Sequence, residues 1–262
     1  MELRNIHPEA KLGEGVSVGL FSTISNNVEI GEGTIIGENV VIKEHVKIGK
    51  NCKISSHTVI GCDPQDMSYN NEKTFVEIGD NNRIFEFVTI ARGTPKGRGK
   101  TVVGNNTMIM AYSHIAHDCI IGNNAIIVSY AVLGGFVEVE EYANIGGKVG
   151  VHQFCRIGAY SMIGGDNLLL KDAPPYSLIG RNPAAFYNLN LIGLRRNGFT
   201  REKIEEIEKI FKVIYRSGLN TTDSLAKIES EFEATAERDR ILDFFRSSKR
   251  GVIKKIAHSL DE

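Results

Sequence analysis

The chain has 262 residues, 42% of them hydrophobic, and a formal net charge of −1, so it is long enough for a sizeable core in one or two domains. The near-neutral charge argues against a general affinity for nucleic acid, and the lack of a run of about 18 apolar residues argues against a membrane span. The N-terminal sequence MELRNIHPEA lacks the apolar stretch of a secretory signal, and we therefore expect a cytoplasmic protein without integral membrane contact.

An aliphatic residue at every sixth position is the dominant pattern of the chain. The first series runs through Ile6, Leu12, Val18, Ile24, Ile30, Ile36, Ile42, Ile48, Ile54 and Ile60, and it resumes in phase at Ile78, Ile84 and Ile90. The second series, shifted by one residue, runs through Val103, Ile109, Ile115, Ile121, Ile127, Leu133, Val139, Ile145, Val151, Ile157 and Ile163. This period fits neither a helix nor a hairpin sheet and is typical of a parallel β-helix. We assign residues 1–190 to this domain.

Two polar segments interrupt the hexads, near residues 62–77 and 91–102. Long polar loops on a rigid scaffold are where binding residues concentrate. The second segment contains GTPKGRGKT at residues 93–101, which resembles a phosphate-binding P-loop. Its spacing is wrong by one residue and it does not join a strand to a helix, so we reject that interpretation.

The solenoid period allows spatial neighbours to be read from residue numbers. Three hexads form one coil, so residues 18 positions apart are expected to stack on one edge of the solenoid. His117 then lies over Gly135 and, one coil further, over Gln153, whose neighbour is His152. His114 belongs to the same edge. Each of these residues alone is an ordinary surface polar residue, but their clustering favours a functional site.

Histidine is the side chain best suited to act as a base near neutral pH, which makes His117 the candidate. Asp118 follows it directly and could orient its ring. Gly135 has no side chain, so a substrate could approach its backbone closely, and its N–H could stabilise an oxyanion.

Three of the four cysteines, Cys52, Cys119 and Cys155, each follow a hexad aliphatic by four residues. Other coils hold a small or β-branched residue at this position. No CxxC pair exists, so we interpret these cysteines as core residues and predict no metal site.

The hexads end near residues 172–175, and from Thr200 onward the apolar period becomes helical. We predict a C-terminal helical domain over residues 191–262, with Thr200 as the cap of one helix and further helices near residues 222–234 and 236–257. The predicted apolar stripes contain Ile204, Ile207, Phe211, Ile214, Ile241, Phe244, Phe245 and Ile253. Basic clusters contain Arg195, Arg196, Arg246, Lys249, Arg250, Lys254 and Lys255. They are either solvated helix faces or a docking surface for an acidic partner.

Five short motifs carry a resemblance to a known family. They are HIAHDC at residues 114–119, VHQFC at 151–155, DAPPY at 172–176, GLRRNGF at 193–199 and IYRSG at 214–218. Together with the hexads they resemble the acyl-[acyl-carrier-protein]–UDP-N-acetylglucosamine O-acyltransferases, the first enzymes of lipid A biosynthesis. The resemblance implies a left-handed parallel β-helix with a helical tail, a homotrimer, and active sites between subunits.

The resemblance also implies a reaction and its residues. A 3-hydroxyacyl chain moves from the phosphopantetheine thioester of acyl carrier protein to the 3-hydroxyl of UDP-N-acetylglucosamine, without a further cofactor. His117 is implied as the general base, Asp118 as its support and Gly135 as the oxyanion donor. The implied substrate contacts are Asp66, His114, His152, Gln153, Asn190 and Arg196, and the implied acyl groove contains Gly147 and Gly165. A glycine at the latter position favours a long chain.

The sequence departs from well-known members at four positions. Phe136 and Ala91 stand where the family has histidines, Ser68 stands where it has a lysine beside Asp66, and Ile192 replaces a glutamate near the uridine. Acyl carrier proteins are acidic, so the resemblance implies acyl carrier protein as the partner that binds the basic clusters of the tail.

Four other classes of protein share some of these features. Three clustered histidines suggest a zinc enzyme of the γ-class carbonic anhydrase type, which metal analysis would identify, but the helical tail has no place there. An acetyl-CoA-dependent acetyltransferase shares only the hexads. The N-acyltransferase that acts later in the same pathway has an N-terminal uridine-binding domain, for which hexads beginning at Ile6 leave no room. A non-catalytic solenoid is the remaining possibility.

Overall fold

The computed structural model describes residues 3–256, and within them the chain is mainly short β-strands followed by a helical tail. The strands are β1 (Asn5–Ile6), β2 (Lys11–Leu12), β3 (Ser17–Val18), β4 (Thr23–Ile24), β5 (Glu29–Ile30), β6 (Ile35–Ile36), β7 (Val41–Ile42), β8 (Val46–Ile48), β9 (Lys53–Ile54), β10 (Val59–Cys62), β11 (Phe75–Ile78), β12 (Arg83–Ile84), β13 (Thr89–Ala91), β14 (Lys100–Val103), β15 (Met108–Ile109), β16 (His114–Ile115), β17 (Ile120–Ile121), β18 (Ile126–Ile127), β19 (Val132–Leu133), β20 (Glu138–Val139), β21 (Asn144–Ile145), β22 (Gly150–Val151), β23 (Arg156–Ile157), β24 (Met162–Ile163), β25 (Leu168–Leu169), β26 (Ser177–Gly180) and β27 (Ala185–Leu189). The helices are α1 (Leu191–Arg196), α2 (Arg201–Arg216), α3 (Thr221–Glu231) and α4 (Ala236–Ser247).

Every third strand joins the same sheet, which makes a left-handed parallel β-helix with three faces, as the hexads predicted. Sheet A runs β1-β4-β7-β10-β13-β16-β19-β22-β25, sheet B runs β2-β5-β8-β11-β14-β17-β20-β23, and sheet C runs from β3 through β6, β9, β12, β15, β18, β21, β24 and β26 to β27. The pairing is parallel except for the last hairpin, β26–β27. His114 pairs with Val132, one coil on, as predicted.

The two inserted segments bulge out of the coils without breaking the sheets. Ile60 pairs with Ile90 across the first segment, and Ile78 pairs with Val103 across the second. The solenoid therefore continues in register past both segments. The polar residues of each segment are carried on a rigid frame.

The hexad aliphatics form the core, with Ile24 to Ile163 almost wholly buried. Burying one such side chain stabilises the fold by about 1.5–3 kcal/mol. The first coil differs, because Leu12 is 37% exposed and its strand β2 lies at the end of sheet B among residues 3–256. The three predicted core cysteines are buried, and burial raises the pKa of Cys119 to about 12.

The tail begins with α1, which the periodicity did not predict, and continues with α2, capped as predicted by Thr200, whose hydroxyl accepts from the Lys203 N–H. The predicted helix to residue 257 is too long. Helix α4 ends at Ser247, and residues 248–256 are not helical; residue 257 lies outside the described residues.

The reason is a competing contact with the solenoid. The Ser248 hydroxyl donates to the Asp172 carboxylate, and Val252 forms a β-bridge with Asp172. Gly251 adopts a φ of 76°, which ends any helical path. Ile253 is buried, but from an extended segment rather than a helix. In residues 3–256, no helix has both the length and the apolar character to cross a membrane.

Candidate active site

His117 and Asp118 lie in the turn between sheets A and B, two and three residues after the inward-facing Ile115 of β16. Asp118 takes the left-handed conformation, with a φ of 60°, which aspartate tolerates better than most residues. This turn brings Nδ1 of His117 to 3.0 Å from Oδ2 of Asp118. Both residues are buried, and the Asp118 side chain has no exposed surface. The sequence neighbours thus form a hydrogen-bonded pair beneath the surface.

The Asp118 carboxylate is held by Thr94, which sequence reasoning missed. The Thr94 hydroxyl donates to Oδ2 at 2.7 Å, and the Thr94 N–H lies 3.0 Å from Oδ2 and 3.1 Å from Oδ1. The Asp118 N–H donates to the hydroxyl of Thr101 at 2.9 Å. Both threonines belong to the second inserted segment, near residues 91–102. This segment therefore completes the surroundings of the pair.

Gly135 lies one coil beyond His117, as predicted, but the space beside it is not open. A Cβ atom at this position would lie 2.6 Å from Cε1 and 2.7 Å from Nε2 of His117. The imidazole ring thus occupies the space that a side chain at this position would take, so the ring can hold this place only because residue 135 is glycine. The Phe136 ring packs edge-on against the same imidazole, with centroids 5.3 Å apart.

An open groove runs along the outer face of sheet A beside His117. Its lining includes Gln65, His114, Ala116, His117, Val132, Gly134, Gly135, Gly150, His152, Gln153 and Leu168. The structure thus brings together the four polar residues that the stacking arithmetic placed on this edge. Nδ1 of His114 lies 2.7 Å from the hydroxyl of Thr89, and burial lowers the pKa of His114. Nδ1 of His152 lies 3.0 Å from the carbonyl oxygen of Gln153.

Asp66 lies in the first inserted segment, next to Gln65 of the groove. Its Oδ1 accepts from the N–H and the hydroxyl of Ser68, at 2.8 and 2.7 Å. The Nζ atom of Lys96, in the second inserted segment, lies 4.0 Å away. The Ser68 hydrogen bonds lower the pKa of Asp66, and the charges of Lys96 and His117 act in the same direction. Asp66 is thus held as a carboxylate, next to Gln65 of the groove.

Asn190 and Arg196 are not in this groove. They line a larger pocket over sheet C, with Tyr142, Met162 and Leu178. The side-chain oxygen of Asn190 caps α1 by accepting from the Gly193 N–H, and its amide donates to the Tyr160 carbonyl at 2.9 Å. Within one chain, the sequence-predicted substrate contacts therefore fall on two different faces.

Gly147 and Gly165 lie on the corner between sheets C and A, one coil apart. A Cβ at Gly165 would lie 3.1 Å from the Gly147 carbonyl oxygen, and a Cβ at Gly147 would lie 3.3 Å from that of Ser129. Glycine at these positions therefore also permits close stacking of the backbone.

Ala91 is buried in β13, and Ile192 is 64% exposed on α1. In residues 3–256, no three His, Cys, Asp or Glu side chains are arranged to hold a metal ion.

Two families match parts of the chain. Residues 172–253 match the family described as UDP N-acetylglucosamine O-acyltransferase, domain 2. Residues 9–44, 27–62 and 100–135 match the bacterial transferase hexapeptide family of six repeats.

Similar proteins span almost the whole chain. A protein of Syntrophobacter fumaroxidans (strain DSM 10017 / MPOB), named acyl-[acyl-carrier-protein]--UDP-N-acetylglucosamine O-acyltransferase, is 46% identical over an alignment of 256 residues, and the match covers 95% of this chain and 99% of the relative. The crystal structure of LpxA, a UDP-N-acetylglucosamine acyltransferase from Bacteroides fragilis 9343, has a TM-score of 0.94 and 45% identity, and the match covers 97% of this chain and 99% of that one. The UDP-N-acetylglucosamine acyltransferase of Francisella novicida has a TM-score of 0.94 at 38% identity over 97% of this chain and 93% of that one.

Proposed function

The chain belongs to the acyl-[acyl-carrier-protein]–UDP-N-acetylglucosamine O-acyltransferase family, and we propose that it transfers a (3R)-hydroxyacyl chain from acyl carrier protein to the 3-hydroxyl of UDP-N-acetylglucosamine. This transfer is the first step of lipid A biosynthesis. The observation that carries the proposal is the buried pair of His117 and Asp118 at the wall of an open groove. A sugar hydroxyl is barely ionised at neutral pH, so the reaction needs a base at this place.

His117 acts as that base. A carboxylate at Nδ1 favours the tautomer with its proton on Nδ1, which leaves the lone pair of Nε2 free. Nε2 takes the proton of the sugar 3-hydroxyl while the oxygen attacks the thioester carbonyl carbon. The tetrahedral intermediate then expels the phosphopantetheine sulfur, which receives the proton from His117. General-base assistance of this kind contributes about 10²–10⁴-fold to the rate.

The backbone N–H of Gly135 is the proposed oxyanion donor. The His117 ring lies directly against this glycine, so a carbonyl that is attacked beside Nε2 lies close to the Gly135 backbone. Removing one oxyanion donor from an enzyme typically costs about 10²–10³-fold in turnover. We therefore expect the Gly135 N–H to contribute to the rate enhancement together with the base.

The proposed assembly is a homotrimer with active sites between subunits, as the family resemblance implies. Asp66, His114, His152 and Gln153 are proposed to bind the nucleotide sugar from the groove side, whereas Asn190 and Arg196 lie on another face of the same chain. The groove side of one subunit thus supplies only part of the proposed substrate contacts. A neighbouring subunit that turns sheet C toward the groove completes it, and the planar guanidinium of Arg196 suits paired phosphate oxygens.

The acyl donor is carried on the phosphopantetheine of acyl carrier protein, and we propose no other cofactor. Gly147 and Gly165 are proposed to line the acyl groove at the corner between sheets C and A. The lack of side chains there leaves space along the corner, which favours a long acyl chain.

The test is transfer from a series of 3-hydroxyacyl carrier proteins, C10 to C18, to UDP-N-acetylglucosamine. The wild type is compared with His117→Ala and, as a matched control, with His57→Ala on an exposed turn. We expect product with the wild type and the control, and a loss of about 10²-fold or more for His117→Ala. Full turnover in His117→Ala would remove the base assignment. If no donor gives product, the activity itself is wrong, and metal content and acetyl-CoA become the next measurements.

A further inference from the structure

The second inserted segment, near residues 91–102, places Thr94 against the carboxylate of Asp118. We propose that Thr94 is a positioning residue that acts through Asp118 on His117. The inference rests on the proposed function, because it assumes that His117 is the base. It concerns a residue that neither the hexads nor the stacking arithmetic identified.

The hydrogen bonds at Asp118 carry the proposal. Oδ2 receives the Thr94 hydroxyl at 2.7 Å, the Thr94 N–H at 3.0 Å and Nδ1 of His117 at 3.0 Å. The carboxylate is wholly buried, so water does not compete for these positions. A buried carboxylate requires such donors to offset its lost hydration. Thr94 thus determines which way Oδ2 faces, and Oδ2 in turn holds the imidazole ring.

Hydrogen bonds within the second inserted segment fix the backbone of Thr94. Its carbonyl oxygen accepts from the N–H groups of Gly97 and Gly99, at 3.1 and 3.2 Å. The Gly97 backbone closes over the carboxylate, since a Cβ there would lie 2.2 Å from Oδ1 of Asp118 and 2.7 Å from Cε1 of Phe136. Thr94 is only 1% exposed. The segment is therefore a folded clamp on Asp118, and the Thr94 hydroxyl is its side-chain contact with the oxygen that faces His117.

The other threonine of the clamp has a different task. Thr101 accepts from the Asp118 N–H and so fixes the main chain, whereas Thr94 fixes the carboxylate. Loss of the Thr94 hydroxyl leaves the Thr94 N–H in place, so Asp118 keeps a donor and the fold keeps its core. What changes is the orientation of the carboxylate and, through it, the alignment of Nε2 with the sugar hydroxyl. Misalignment of a reacting group lowers turnover rather than substrate affinity.

The experiment compares Thr94→Val, Thr94→Ser and Thr107→Val in the full-length protein. Thr107 is the matched control, because it is a buried threonine whose hydroxyl donates to Asn82 at 2.6 Å, in a turn outside the groove. We expect Thr94→Val to lower kcat by about tenfold with KM for UDP-N-acetylglucosamine changed less than about twofold. Thr94→Ser should restore kcat to within about twofold, and Thr107→Val should keep it. If the valine variant does not fold, Thr94→Ala removes the same hydroxyl and decides the question.

A double-variant cycle separates this role from a merely structural one. If Thr94 acts through His117, Thr94→Val has no further effect on turnover in the His117→Ala background. Equal fractional losses in both backgrounds would overturn the proposal, as would a wild-type kcat in Thr94→Val. An inactive wild type, or a fully active His117→Ala, would instead refute the proposed function, and the role of Thr94 would fall with it.

Discussion

The Nζ atom of Lys96 lies 4.0 Å from Oδ1 of Asp66, and this ion pair joins the two inserted segments beside the groove. The family resemblance leads one to expect a lysine near Asp66 at position 68, where this chain has serine. A lysine still lies beside Asp66, but it is Lys96 of the second inserted segment. Ser68 donates two hydrogen bonds to the same Asp66 oxygen.

Lys96→Met should therefore weaken the binding of the nucleotide sugar. The Lys96 side chain is 64% exposed and that of Asp66 is 22% exposed, and solvent weakens such a pair, so we expect KM for UDP-N-acetylglucosamine to rise by no more than about fivefold. Lys100→Met is the control, because Lys100 lies at the end of the same segment but pairs with Glu77. Adding Ser68→Lys to Lys96→Met should recover part of the loss. An unchanged KM in Lys96→Met would show that Lys96 has no part in binding.

Gly135→Ala should impair catalysis while the solenoid remains folded. The new Cβ would lie 2.6 Å from Cε1 of His117, so the imidazole has to leave its position. Gly135 does not have a left-handed φ, and alanine therefore brings no backbone strain of its own. We expect kcat to fall by at least about tenfold, since small displacements of a catalytic group cost this much or more. The control is Gly180→Ala, where the added methyl meets no atom within 4 Å. Equal kcat in the two variants would contradict the observed packing.

The solenoid was predictable from sequence because the six-residue period locates each strand, and counting three hexads along the chain gives the strand with which it pairs. Each hexad aliphatic faces inward, and pairs such as His114 with Val132 follow from counting. Counting also brought His117 over Gly135. Counting failed for contacts made by a segment that lacks the hexad repeat. Thr94 reaches Asp118 only because the second inserted segment folds back over the turn, and no spacing rule describes that path.

Two other differences have equally local causes. The apolar stripe of the last helix led to a predicted end at residue 257, but Ser248 bonds to Asp172 and the chain turns into an extended segment. Asn190, a substrate contact by resemblance, lies away from the groove of its own chain and caps α1, so its contact with the nucleotide sugar stays a prediction. Periodicity describes what a residue does inside one coil, whereas these outcomes depend on contacts between the tail and the solenoid.

The basic cluster at the end of α4 gives a prediction about the protein donor. Lys249 and Arg250 line a pocket beside the stacked rings of Phe136 and Phe154, whereas Arg246 already pairs with Glu229 at 2.6 Å. Reversing the charge at all three positions should raise KM for acyl carrier protein by about tenfold at low salt, and the difference should shrink as salt is added.

The single substitution Lys249→Glu tests the same docking surface with the least disturbance of the fold. It should account for more of the change than Arg246→Glu, because the Arg246 guanidinium is engaged by Glu229. Lys209→Glu, an exposed residue in the middle of α2, is the matched reversal and should leave KM for the carrier unchanged. A similar rise in KM for Lys209→Glu would mean that net charge, rather than this surface, governs docking.

The half-buried His114 should make stability depend on pH. Burial lowers the pKa of His114 in the folded state, while an unfolded histidine has a pKa of about 6.5. Between the lowered value and about 6.5 the unfolded chain binds more protons, so His114 destabilises the fold as pH falls through this window. His114→Asn does not titrate there, and Asn can still bond the Thr89 hydroxyl, which lies 2.7 Å from Nδ1. The free energy of unfolding, measured from pH 8 to pH 5 at one protein concentration, should therefore fall less steeply for His114→Asn than for the wild type. Equal slopes for His114→Asn and the wild type would show that His114 does not contribute to the acid sensitivity of the fold.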